Sequence, residues 1–173
     1  MMPNIRYFDN MVPTSERWDL HEFCLKSMYQ LGWYDSQDPS KYIPNLHSHW
    51  SDKDMEKSHL LPYIQECVDQ SPWFTKKKLH RTIVNLVRSN DVHQIHHHKG
   101  DQVALYYANL DWQDGWYGET LFYDEFDESK IGFTTPYIPG RIILFDGTIP
   151  HAIRPQSVAG PKFRITISMF YND

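Results

Sequence analysis

Two kinds of hydrophobic spacing divide the chain. In the first third, Leu20, Cys24, Met28 and Leu31 recur at three- and four-residue intervals with Phe23 beside them, the pattern of one helical face. Thr14 and Ser15 are residue types that start such a helix, and Gly32 is one that stops it. A second helical stretch is predicted from Asp54 to Val68, kinked or restarted at Pro62, because proline has no N–H to give to the turn before it. The segment Gly32 to Ser51, rich in Pro, Ser, Asp and Tyr, reads as loop.

From Leu79 the pattern changes. Leu79–Val87, Val103–Leu110, Thr120–Tyr123, Arg141–Phe145 and Phe163–Phe170 are rich in β-branched and aromatic residues. Turn signals separate them: Ser89-Asn90-Asp91, Lys99-Gly100-Asp101, Asp114-Gly115, Pro139-Gly140 and Asp146-Gly147. Short strands at this spacing predict a sandwich or barrel-like β core. Helices first and strands after predict an α+β fold with the helices packed on one sheet. The expected organisation is a single domain over residues 1–173, with 1–78 mainly helical support and 79–173 the β core.

Composition narrows the function classes. With 40% hydrophobic and 15% aromatic residues the chain can fill a core. A formal charge of −5 gives no footprint for nucleic acid, and the short basic run Lys76-Lys77-Lys78 reads as a solvated strand entry. Two cysteines, Cys24 and Cys67, make no disulfide framework, and Cys24 reads as a small buried hydrophobe. No signal-like or membrane-spanning apolar stretch is present, so a cytoplasmic protein is expected. The sequence does not indicate an oligomeric state.

The chemistry concentrates in Asp91-Val92-His93-Gln94-Ile95-His96-His97-His98, where four of the ten histidines fall within six positions. On an extended segment His96 and His98 share a face and His97 takes the other. Two imidazoles so placed reach one metal, and a third ligand has to come from another strand. His151 is the candidate, because it follows a strand and turn, Arg141 to Pro150. Three ligands on one face with open positions opposite suit iron(II) and oxygen chemistry.

Several motifs then follow in order: Leu105-Tyr106-Tyr107-Ala108-Asn109-Leu110-Asp111-Trp112, Tyr117-Gly118-Glu119-Thr120-Leu121-Phe122, Pro139-Gly140-Arg141, Pro150-His151-Ala152-Ile153-Arg154-Pro155, and Phe163-Arg164-Ile165-Thr166-Ile167-Ser168. From about Leu79 onward the chain resembles the prolyl-hydroxylase-like branch of the 2-oxoglutarate and iron(II)-dependent oxygenases. The resemblance implies a double-stranded β-helix of the jelly-roll or cupin-like kind, with N-terminal supporting helices. It implies Fe(II), 2-oxoglutarate and molecular oxygen as the reacting partners. The expected outcome is hydroxylation of a C–H bond, on a prolyl residue of a peptide or on a small molecule, with 2-oxoglutarate converted to succinate. His96 and His151 match the first and distal iron ligands. Arg164 matches the arginine that grips the far carboxylate of 2-oxoglutarate, with Tyr107, Thr166 and Ser168 as further contacts to it. Asn109, Trp112, Trp116, Tyr117 and Arg154 are candidates for the substrate mouth, and the turn Trp112–Tyr117 and the acidic segment Asp124–Lys130 for substrate loops.

One position departs from the family pattern. The second ligand is normally a carboxylate two residues after the first histidine, and here it is His98. Three assignments stay open: His98 as a third imidazole, Asp101 reaching back from the next turn, or His93 paired with His96 or His98. The departure also keeps two other functions in view. One is a three-histidine dioxygenase that does not use 2-oxoglutarate. The other is a catalytically inactive metal-binding module of the same fold.

Overall fold

In chain order, the computed structural model runs β1 (Ile5–Phe8), α1 (Thr14–Leu25), β2 (Gln30–Trp33), β3 (Asn45–Trp50), α2 (Asp52–Ser58), α3 (Leu61–Asp69), β4 (Lys78–Val87), β5 (Gln102–Tyr107), β6 (Thr120–Tyr123), β7 (Ile131–Thr135), β8 (Ile142–Asp146), β9 (His151–Ile153) and β10 (Arg164–Asn172). It describes residues 4–33, 38, 40 and 45–173. Seven strands form one antiparallel sheet in the order β1-β8-β5-β10-β4-β3-β2, and β7-β6-β9 form a second.

Strand β10 shows how the sequence sorts two faces. Ile165, Ile167, Met169 and Tyr171 turn outward into a core shared with Leu20 and Cys24 of α1, Met55 of α2, and Ile64, Cys67 and Val68 of α3. Arg164, Thr166, Ser168 and Phe170 turn inward to a cavity. The inner apolar core joins the two sheets: Val103 and Leu105 of β5 and Ile143 and Phe145 of β8 meet Phe122 of β6. This is the double-stranded β-helix, with helices covering the outer face of the larger sheet.

Pro62 sits in the first turn of α3, where its missing N–H costs nothing, so the predicted second helical stretch is two helices with a restart. The first helix is shorter than its periodicity suggests. It ends at Leu25, leaving Met28 and Leu31 91% and 61% exposed, and the apolar spacing beyond it is coincidental. Pro13 takes the N-cap position with no side-chain cap bond, so neither Thr14 nor Ser15 caps the helix, and Gly32 lies within β2. Of the segment expected to be loop, residues 34–37, 39 and 41–44 lie outside the described residues, and Asn45–Trp50 is a strand paired with β4. Among the described residues no helix is long and apolar enough to cross a membrane.

Candidate metal centre

His96 and His151 face each other across an antiparallel bridge. His96 N donates to His151 O at 3.0 Å and His151 N to His96 O at 2.9 Å, so the two side chains leave the backbone on the same side. His98 N donates to Gly147 O, which fixes the next same-face position. The ligand atoms of His96, His98 and His151 all lie within 4.8 Å of one another, while His97 is exposed. Gly147 makes the close approach possible: a Cβ there would stand 2.4 Å from His98 O and 2.6 Å from Asp101 O.

The tautomers suit a cation. His96 Nδ1 lies 3.0 Å from Gln94 O and His151 Nδ1 lies 2.8 Å from Ile149 O. A ring nitrogen facing a carbonyl must carry the proton, which leaves each Nε2 with a lone pair. Burial holds the His151 imidazole well below its ordinary pKa of 6.5, and the neighbouring His96 and His98 add to the effect. Three crowded imidazoles, with no acidic residue in the cavity wall among the described residues, form a donor set for a divalent metal.

The buried His151 also sets a pH dependence for the metal-free protein. In the unfolded chain its imidazole titrates near 6.5, and in the fold it stays neutral to lower pH. Below that pH the unfolded state binds a proton that the native state refuses. Stability is therefore full above about pH 6.5 and falls as the pH drops, by up to about 1.4 kcal/mol per pH unit for this one group. Thermal unfolding of the metal-free protein is expected to show a falling Tm between about pH 7.5 and about pH 5. His151→Asn should flatten part of that fall; an equally steep fall in the variant contradicts the assignment.

Arg164 lies in the same cavity and is 1% exposed. Its Nε donates to Gly118 O at 2.7 Å and its Nη2 to Thr120 Oγ1 at 3.1 Å. Among the described residues no carboxylate pairs with it. The loop that holds it needs Gly118: φ is +81°, and a Cβ there would stand 2.8 Å from the Trp112 ring and 3.4 Å from Arg164 Cδ. Thr166 and Ser168 line the cavity beyond Arg164, and Val103, Leu105, Phe145, Ile153 and Phe170 give it apolar walls. A buried, unpaired guanidinium calls for an anion.

Other residues singled out in the sequence fall elsewhere. Tyr107 does not line the cavity. Its hydroxyl bonds Thr120 Oγ1 at 2.6 Å and Thr135 Oγ1 at 3.0 Å, and its ring stacks on Tyr137, so it braces the threonine that holds Arg164. Asp101 turns away from the triad, with Oδ1 3.0 Å from His80 Nε2 and Oδ2 3.7 Å from Arg81 Nη2. His93 lines the cavity but stands outside the triad. Trp112, Trp116, Tyr117 and Arg154 gather beside the cavity rather than in its wall. Trp112 Nε1 donates to Tyr117 O at 2.8 Å and Arg154 lies over the Tyr117 ring at 3.8 Å. Thr120, Asn85 and Asn45 do line the cavity, and the sequence reading gave them no role. The signal for Asn85 was its alternation with the apolar Val84 and Leu86, which put it on the inner face.

Asn109, a candidate for the substrate mouth, has its side chain fully engaged within the fold. Its Oδ1 accepts from Ile165 N at 2.8 Å and lies 2.6 Å from the Tyr137 hydroxyl, while its Nδ2 donates to Phe163 O at 2.9 Å. Asn109→Ala strands these buried partners and is expected to cost about 2–4 kcal/mol in denaturant unfolding. A loss under about 0.5 kcal/mol would place the residue back among the surface groups.

No family model matches the sequence, and the comparison with curated proteins finds no match. Solved structures do match. A Pseudomonas putida prolyl-4-hydroxylase aligns with a TM-score of 0.73 at 11% identity, over 98% of this chain and 93% of that one. A Trichoplax adhaerens prolyl hydroxylase, in complex with a peptide fragment of the hypoxia inducible factor oxygen degradation domain, aligns at 0.69 and 17% identity, over 98% and 84%. The non-haem α-ketoglutarate-dependent epimerase SnoN of nogalamycin biosynthesis aligns at 0.69 and 11% identity, over 98% and 76%. Hydroxylases and an epimerase thus share the architecture, which leaves the reaction to be argued from the site. The chain has the double-stranded β-helix fold of the prolyl-hydroxylase-like 2-oxoglutarate and iron(II)-dependent oxygenases.

Proposed function

We propose that this protein is a 2-oxoglutarate- and iron(II)-dependent dioxygenase that hydroxylates a C–H bond, with His96, His98 and His151 as the metal ligands. The observation that carries this reading is the buried Arg164, without a carboxylate partner among the described residues, in the cavity where three imidazoles converge. Iron(II) held by the triad supplies the oxidising chemistry, with oxygen consumed and 2-oxoglutarate converted to succinate and carbon dioxide as the substrate gains a hydroxyl.

The chain's own residues do the rest. Arg164 pairs with the far carboxylate of 2-oxoglutarate, and the hydroxyls of Thr166 and Ser168 hydrogen-bond to it. Thr120 and Gly118 O hold the guanidinium in one orientation, so little side-chain freedom is lost on binding. Backbone carbonyls of Gln94 and Ile149 keep the His96 and His151 rings aimed at the metal. Val103, Leu105, Phe145 and Phe170 exclude water from the reacting centre.

A prolyl residue in a peptide is the first substrate to test, because prolyl hydroxylases are among the matching structures and one of them holds a peptide. The assay is succinate formation with iron(II), 2-oxoglutarate and oxygen, alongside calorimetric binding of iron(II) and of 2-oxoglutarate without oxygen. Succinate that requires all three components supports the reading. Iron binding without 2-oxoglutarate binding would move the protein to the three-histidine dioxygenases that use no such co-substrate. Binding of neither would leave the metal-free fold as an inactive module.

A further inference from the structure

The cavity has a second polar wall besides Arg164 and the triad, made by Asn85 of β4 and Asn45 of β3. Arg164, Thr166 and Ser168 lie on β10, and the polar line continues from them onto β4 and β3. Asn85 pairs with Thr166, and its Nδ2 donates to Ser168 Oγ at 3.5 Å. His47 pairs with Asn85, so Asn45, two residues earlier on the same face of β3, is its diagonal neighbour. Both carboxamides line the cavity that holds the triad. Asn45 is 4% exposed, and its Oδ1 has no hydrogen-bond partner among the described residues. A buried amide oxygen without a donor carries the desolvation penalty and gains nothing for it, unless a ligand brings the donor.

The position separates this wall from the co-substrate. β3 lies two strands from β10, roughly 10 Å at about 4.8 Å per strand. On the dioxygenase reading, a diacid paired with Arg164, Thr166 and Ser168 is anchored on β10. Among the described residues no acidic side chain lines the cavity, so an ammonium group finds no counter-charge from them. The donor that Asn45 accepts from is therefore a neutral N–H or O–H.

We propose that Asn45, with Asn85 beside it, is the recognition site for the primary substrate and accepts a hydrogen bond from a neutral amide or hydroxyl group near the oxidised C–H bond. This rests on the reading of Arg164 and the triad as co-substrate and metal sites. The test uses the zinc-substituted protein, in which no turnover occurs, saturated with 2-oxoglutarate. Lactamide, which carries hydroxyl and amide donors, is titrated by protein-observed NMR against its fully methylated counterpart, which carries none.

Lactamide is expected to bind at least about tenfold more tightly than the methylated compound, the discrimination expected when a buried acceptor is left unpaired. Asn45→Leu should remove that preference and Asn45→Asp, which keeps an acceptor, should retain it. Asn45→Leu, which adds no charge, should bind 2-oxoglutarate within about twofold of the wild type, as a site without shared partners does. A tenfold loss of 2-oxoglutarate affinity in Asn45→Leu would put Asn45 in the co-substrate site and overturn the proposal. Equal binding of the two probes to the wild type, or no binding of lactamide, overturns it as well. Should the wild type fail to bind 2-oxoglutarate, the dioxygenase reading fails first, and that is a separate result.

Discussion

Arg164→Leu is expected to weaken 2-oxoglutarate binding by about a hundredfold or more. Truncating one partner of a buried, hydrogen-bonded charge pair costs about 2–5 kcal/mol, and each 1.4 kcal/mol is about tenfold. The same substitution should cost the ligand-free protein little. Without a bound anion the guanidinium is a buried cation with only Gly118 O and Thr120 Oγ1 to satisfy it. Replacing an uncompensated buried charge by an apolar group of similar reach is close to neutral for stability. Binding and stability therefore separate. In the zinc-loaded wild type, 2-oxoglutarate at about a hundred times its Kd should add about 2.7 kcal/mol of stability, and in Arg164→Leu almost none. Thermal unfolding with and without the co-substrate measures the difference. An equal Tm rise in both proteins would show that the carboxylate sits elsewhere. Arg164→Lys should fall between, because an ammonium keeps the charge but cannot form the two parallel bonds of the planar fork.

What the sequence revealed depended on whether a residue's role was local. Thr120–Tyr123 was recognisable as a strand because its own residues alternate between the core and the outside. The pair His96 and His98 was recognisable because alternation alone puts both on one face. The partner His151 follows from an antiparallel bridge to His96 that no local pattern encodes, and its order after a strand and turn had to stand in for it. Strand β3 was missed for a physical reason. Its sequence, Asn-Leu-His-Ser-His-Trp, puts Asn45, His47 and His49 on the inner face, and a strand that turns a polar face inward looks like loop. Asn109 is a candidate for the substrate mouth, and Tyr107 is a site candidate through its match to the family's motif. Their hydrogen bonds to Ile165 N and Thr120 Oγ1 depend on strands far along the chain. The part of the cavity wall on β3 stayed hidden with that strand, whereas Asn85 on β4 follows from its alternation with Val84 and Leu86.

The substitution that gives position 98 the carboxylate implied by the family resemblance is His98→Asp. It should preserve metal binding while loosening the hold on 2-oxoglutarate. Among the described residues the wild-type cavity has no acidic lining, so a divalent ion and Arg164 together bring three positive charges to a dianionic co-substrate. A carboxylate at position 98 cancels one of them. One unit charge about 6 Å away is worth about 1–3 kcal/mol at effective dielectric constants of about 20–40. The affinity for 2-oxoglutarate should therefore fall about tenfold or more, while the anionic ligand holds the cation at least as firmly as the imidazole did. Removing a ligand outright is different. His98→Ala and His151→Ala should each weaken metal binding by at least about a hundredfold, since even partners that only orient ligands are worth about 10- to 100-fold. Asp101→Ala should leave metal binding unchanged, because that carboxylate is engaged by His80 and Arg81. Zinc and iron(II) affinities of the four variants, measured with a competing chelator, decide between the assignments. If Asp101→Ala lost the metal and His98→Ala kept it, the three-imidazole face would be wrong, and the carboxylate ligand would have to swing in from the turn after the H-x-H pair.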